Sequence, residues 1–160
     1  MHEPLVTELA AAPNVVADLV ESLPVGLLTQ SPTGEGWTIT DVIGHMRAAD
    51  AIWTPRILVA LVHDGAPMPD VDERVLQTVM HASGLLLGDQ LTSYAFGRAE
   101  LCGVLDALTE DEWSHTFTHA ERGHVTVIDA CTVVARHEAE HLEQMRTIAA
   151  GLRASFEPGQ

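Results

Sequence analysis

Apolar residues recur at alternating spacings of three and four over four stretches of the chain, and this predicts four long amphipathic helices. In the first, about residues 4 to 23, Leu5, Leu9, Ala12, Val16, Leu19 and Leu23 form one narrow seam. Pro13 falls inside it and predicts a kink or a restart near Asn14. The second helix begins near Thr40 as N-cap, with Asp41 in its first turn and a stripe of Val42, Met46, Ala49, Trp53, Ile57 and Leu61. Pro55 is expected to bend it before it ends by Asp64-Gly65. The third spans about Leu85 to Leu108, with Leu87, Leu91, Tyr94, Leu101, Leu105 and Leu108 on one side. The fourth runs from about Thr126 to Ala150 and stops at Gly151; its stripe includes Val127, Cys131, Val134, His141, Met145 and Ile148.

The polar intervals read as connections. Ser31 to Gly36 is a loop, 66–69 is irregular, a short helix covers Asp72 to His81, and Ser83-Gly84 breaks it. Thr109 and Glu112 have capping-box spacing, predicting a turn or short helix at Glu110 to Trp113, and 114–124 reads as loop. The expected architecture is an all-α four-helix bundle with long connections between helices 2 and 3 and between 3 and 4. Residues 1–152 make one domain, and 153–160 a flexible tail.

Composition narrows the function. With 46% hydrophobic residues but one Tyr and three each of Trp and Phe, the core must be aliphatic. No apolar run reaches the length of a membrane span, and the start of the chain shows no signal-peptide pattern. Cys102 and Cys131 sit among aliphatic residues and read as buried, reduced thiols of a cytoplasmic protein rather than a disulfide. A formal charge of −15 repels phosphate backbones and anionic lipid, so nucleic-acid and membrane partners are not expected. The acids are read as keeping the protein soluble.

Nine histidines in 160 residues call for another explanation. His137 and His141 stand four apart on the fourth helix and continue the stripe of Val134, Met145 and Ile148, so both imidazoles share one face and can reach one metal ion. A hydrogen-bonded, partly buried pair is the alternative. His45, beside Met46 on the second helix, also flanks the core, and three imidazoles near an apolar interior are costly unless hydrogen-bonded or bound to a cation. His115 and His119 have the same spacing but lie in a segment without helical period; with His124 they lack a rigid frame for a second site. The remaining histidines, His2, His63 and His81 among them, read as surface residues.

The stretch from Gly36 through Trp37-Thr38 to His45-Met46 resembles the start of the second helix in the DinB-like (YfiT-like) superfamily, where a Trp-Ser/Thr segment precedes a His. Ala135 to Met145, with His137, His141, Leu142 and Gln144, is similar to that family's C-terminal His-x3-His helix. Leu108 to Trp113 resembles its Leu–acidic–Trp element, and Gly123 sits where such proteins have a Gly before the last helix. The resemblance spans about residues 5 to 150. It implies a bundle of DinB/YfiT type from a bacterium, a shallow pocket holding one divalent metal ion (Zn, Ni or Fe) on His45, His137 and His141, and a homodimer.

It also implies an enzyme in which the metal activates a small nucleophile, most like a low-molecular-weight-thiol S-transferase. A metal-dependent hydrolase, a non-catalytic metal-binding or stress-response protein, and a helical interaction module are the alternatives. A non-catalytic binder would close the open metal position with a fourth protein ligand such as His119 or Glu121. No catalytic base is identifiable, although His119 and Glu121 could overhang the pocket. Asp41, Glu138 and Glu140 are candidate acceptors for the imidazole N–H groups, or else ordinary solvated helix acids. Trp53 and Trp113 read as core anchors. Arg47 and Arg136, next to the histidines in sequence, could meet an anionic substrate or simply be solvated.

Overall fold

The computed structural model describes residues 2–80 and 84–156. Four long helices form the bundle: α1 (Glu3–Glu21), α2 (Ile39–Val62), α4 (Leu87–Leu105) and α6 (Val127–Phe156). Short helices α3 (Glu73–Val79) and α5 (Glu110–Trp113) lie in the two long connections, and a 3-10 turn, Val25–Leu27, follows α1. The expected end of α3 at His81, and Ser83 with it, fall outside the described residues.

The helix ends follow local chemistry. The N-cap of α2 is Thr38, not Thr40: Thr38 accepts from the Asp41 N–H at 3.1 Å, and the Asp41 carboxylate accepts from the Thr38 N–H at 3.0 Å. Thr40 is already helical and donates its hydroxyl to the Leu28 carbonyl. The expected short helix at 110–113 forms with its Thr109–Glu112 box.

Neither internal proline ends its helix. Pro13 has no N–H to offer the Leu9 carbonyl, and the buried Arg98 guanidinium donates to that oxygen instead, at 3.4 Å. Gly151 does not stop α6, which continues to Phe156, so 153–156 is helix rather than tail. A Cβ at Gly151 would stand 2.9 Å from the Pro32 side chain, so the glycine serves the close approach of α6 to the loop before α2.

The segments at 66–69 and 114–124, read as irregular, contain a three-stranded sheet. Strand β1 (Ala66–Met68) pairs parallel to β2 (Thr116–His119), which pairs antiparallel to β3 (Gly123–Thr126). Its strands are only three or four residues long, too short for alternation to stand out, and Pro67 is tolerated because β1 is an edge strand. Phe117 and His119 alternate inward, and Gly123 makes the turn into β3 at φ 72°.

The hydrophobic core is divided in two. One cluster joins Leu9, Ile57, Leu101, Phe117 and Val134; the other joins Val16, Ile43, Tyr94, Met145 and Leu152. Along α1, α4 and α6 the residues between the two sets include Pro13, Arg98 and the run from His137 to His141, while on α2 His45 stands beside Met46 of the second set. A belt of buried polar groups, His45, Arg98 and Glu138, thus lies where the two sets meet.

Candidate metal centre

Helices α2 and α6 bring His45, His137 and His141 to one point. The Nε2 of His137 is 3.2 Å from that of His45 and 3.1 Å from that of His141, and the three ligand atoms all lie within 4.8 Å of one another. Nitrogens bound at about 2.0–2.1 Å around one tetrahedral ion stand about 3.3 Å apart, so this spacing fits a shared divalent cation. The hydrogen bonding fits as well. His141 Nδ1 lies 2.7 Å from the Gln144 side-chain oxygen, which takes its N–H and leaves the Nε2 lone pair facing the centre. His45 Nδ1 is buried without a partner among the described residues.

Burial and mutual repulsion favour the neutral form of His45 and His141. His45 is 6% exposed, and its pKa is lowered to about 4, first by desolvation and then by His141 and His137. His141 is lowered too, again chiefly by burial. Neutral imidazole is the form that binds metal.

A carboxylate that sequence reasoning missed completes the cluster. Glu73, the first residue of α3, places Oε2 3.4 Å from Nε2 of both His45 and His137. Its other oxygen accepts from Trp53 Nε1 at 3.3 Å. The hydrogen bond with His137 is the first cause that pulls its pKa down, to about 2. Asp72 caps α3 by accepting from the N–H groups of Arg74 and Val75, and Gln77 donates to the Asp41 carbonyl, fixing α3 against α2. The only available signal was the cap Asp72 in front of a short helical period; nothing in the sequence ties that helix to His45.

The acids proposed from sequence adjacency go elsewhere. Asp41 is used in the α2 cap, and Glu140 is exposed beside Arg136, 3.9 Å away. Glu138 is buried and turned away from the centre, accepting from Arg98 Nη1 at 2.6 Å and from the Tyr94 hydroxyl. Arg98 also pairs with Asp50 at 2.6 Å. Arg47 reaches Ser93 and Arg136 is exposed, so neither borders the histidines' cavity.

The centre lies in the wall of a cavity of about 750 Å³. Trp37 flanks it, stacked on His141 and edge-on to His45. The expectation that His119 and Glu121 overhang the pocket agrees with their place in its lining. His119 is buried at the end of β2, stacked on Trp53, and its Nδ1 accepts from the backbone N–H groups of Glu121 and Arg122. Trp53 is core and cavity wall at once, whereas Trp113, the last residue of α5, is buried against His2. Among the described residues, His115, His119 and His124 form no second metal-ligating group.

Three comparisons bear on this arrangement. The protein-family model of the DinB superfamily matches residues 8–145. The uncharacterized protein YuaE of Bacillus subtilis is 24% identical over 135 residues, covering 76% of this chain and 82% of YuaE. A solved structure, YfiT from Bacillus subtilis, superposes with a TM-score of 0.83 at 16% identity, over 92% of this chain and 85% of that one; it is described as a probable metal-dependent hydrolase with an unusual four-helix bundle topology. The match over most of its length, together with the bundle it shares with YfiT, means that this chain belongs to the DinB superfamily.

Proposed function

We propose that the protein holds one divalent metal ion on the Nε2 atoms of His45, His137 and His141 and hydrolyses a small molecule in the adjoining cavity. The carrying observation is Glu73: a carboxylate 3.4 Å from two of the three nitrogens and tethered by Trp53. When bound, a divalent cation supplies Lewis acidity and lowers the pKa of a coordinated nucleophile toward neutrality. His137 loses the proton that it shares with Glu73 when its Nε2 takes a cation, which relieves the main cause of the low Glu73 pKa. Glu73 then accepts the proton that the nucleophile gives up, Trp53 keeps the carboxylate aimed, and Gln144 keeps His141 in the tautomer that offers Nε2. Three imidazoles suit zinc, nickel or iron and do not choose among them. The description of YfiT as a probable metal-dependent hydrolase supports the same reading.

Transfer of a low-molecular-weight thiol is the second reading. Its support is the cavity, whose volume of about 750 Å³ has room for a thiol and an electrophile together. Both readings take the protein as a cytoplasmic homodimer, and sedimentation of the purified protein tests the dimer.

The test measures metal by elemental analysis of untagged wild type, His141→Ala and Glu73→Gln, and turnover of p-nitrophenyl acetate by each after zinc loading. Wild type should carry close to one equivalent and His141→Ala far less. Glu73→Gln should keep its metal and lose turnover by at least about a hundredfold, the scale of general-base catalysis. Loss of metal from Glu73→Gln would instead make Glu73 a fourth ligand and favour a closed, non-catalytic centre. A wild type that takes up no divalent ion overturns the proposal.

A further inference from the structure

The protein has eight arginines, no lysine and twenty-three acidic residues, so its surface is hostile to anions. Three of the eight, Arg56, Arg74 and Arg122, nevertheless line the cavity beside the histidine centre. Each lies over a tryptophan of the same cavity. The Arg74 guanidinium carbon is 5.9 Å from the Trp37 ring centre; those of Arg56 and Arg122 are 5.1 and 5.6 Å from that of Trp53. A guanidinium stacked on an aromatic ring is held in orientation while its N–H edge stays free to donate.

The other polar groups of the cavity are mostly committed. Arg56 is buried and donates to the Pro69 carbonyl at 2.7 Å. Asp72 caps α3, Glu73 is tied to Trp53 and the histidines, and Asp70 stands 3.6 Å from His119 Nε2. The guanidinium groups of Arg74 and Arg122, both exposed residues of the cavity lining, have a ring contact and no hydrogen bond or ion pair among the described residues. Glu121 is the one lining carboxylate left without such a commitment. The lining holds three guanidiniums against four carboxylates, a balance that disfavours a phosphate dianion, while the two guanidinium forks without hydrogen-bonded partners among the described residues match the planar edge of a single carboxylate.

We propose that Arg74 on Trp37 and Arg122 on Trp53 form a carboxylate-binding subsite, and that the substrate of this cavity is a carboxylate-bearing small molecule. The inference rests on the cavity being the substrate site, but the subsite does not need the metal. Substrate would be held by its carboxylate at the arginines and present its reactive group to the centre and Glu73.

Succinamate, a monoanion at neutral pH, and its uncharged counterpart succinamide are titrated into metal-free and zinc-loaded protein, followed by tryptophan fluorescence. The proteins are wild type, Arg74→Gln, Arg122→Gln, and Arg136→Gln as a control outside the cavity. Succinamate should bind both forms of wild type and succinamide neither. Arg74→Gln and Arg122→Gln should each weaken succinamate about tenfold or more, the loss of one charge-assisted hydrogen bond, with metal content unchanged. Arg136→Gln should match wild type. Equal binding of succinamate by wild type and both cavity variants, equal binding of succinamide, or no succinamate binding at all would overturn the subsite. Succinamate binding that appears only with zinc and ignores both arginines would also overturn it, as coordination by the metal alone. Because metal content is measured on the same samples, a centre that fails to load is distinguished from a subsite that fails to bind.

Discussion

His45 and His141 carry opposite obligations in the folded and unfolded chain. In the unfolded chain both titrate near pH 6.5; in the fold both resist protonation, His45 down to about pH 4. Below about pH 6.5 the unfolded chain therefore binds protons at these histidines that the native protein does not, and their contribution to stability falls as the pH drops toward 4, partly offset by Asp50, whose carboxyl is pushed up by burial to about 6. For chelator-treated protein the urea midpoint should be lower at pH 5 than at pH 7, and His45→Gln should flatten that slope; a midpoint unchanged between the two pH values would contradict it. At this scale the histidines were legible because i, i+4 spacing on an apolar face is a statement about direction. Glu73 was not, because its place at the centre depends on how α3 lies on α2. The acids next to the histidines misled for the same directional reason: one step along a helix turns a side chain by about 100°, which sends Glu138 to Arg98 rather than to the imidazoles.

Helix boundaries were read well where capping chemistry is local and less well where tertiary contact overrides it. The Thr109–Glu112 box formed as its spacing predicts, and Thr38 would have been preferred over Thr40 by counting three residues on to Asp41. Gly151 reads as a stop and Pro13 as a kink or restart because their usual effects are local, but in this fold α1 runs on through Pro13 with Arg98 donating to the Leu9 carbonyl, and Pro32 occupies the space a side chain at 151 would need. Gly151 sets two effects against each other. Alanine in mid-helix gains up to about 1 kcal/mol of propensity, whereas forcing a methyl within 2.9 Å of Pro32 costs about 1–3 kcal/mol. Gly151→Ala should thus be neutral to destabilising by about 2 kcal/mol in urea denaturation. A gain of the full propensity term would mean that Pro32 yields freely. The sheet escaped notice because three- and four-residue strands carry too little alternation to be distinguished from loop.

Across the whole molecule, the belt of polar groups between the two hydrophobic clusters is held by Arg98, which is 1% exposed and touches α1 at Leu9, α2 at Asp50 and α6 at Glu138. Removing that one cation strands two carboxylates inside the bundle. Breaking a buried pair in this way costs about 3–5 kcal/mol, and Arg98→Met should lower the unfolding free energy by that order, measured at pH 7. A change below about 1 kcal/mol would mean that water or a rearrangement reaches Asp50 and Glu138. The bundle class was legible from four periodic stretches, and the level at which they exchange apolar for polar contacts was not, since no single helix shows it.

The parallel pairing of β1 with β2 sets a clock on the protein's maturation. Ala66 must find Phe117 across the whole of α3, α4 and α5, and pairing over such a sequence distance is slow compared with helix formation. A chain emerging from the ribosome can wind α1 and α2 early, but the strand that carries His119 and closes this side of the cavity waits for residues 116–119, and the second and third imidazoles wait for α6. Any cation the protein uses is therefore acquired late, by a nearly finished molecule, and a chain arrested before residue 137 would leave His45 facing an incomplete site.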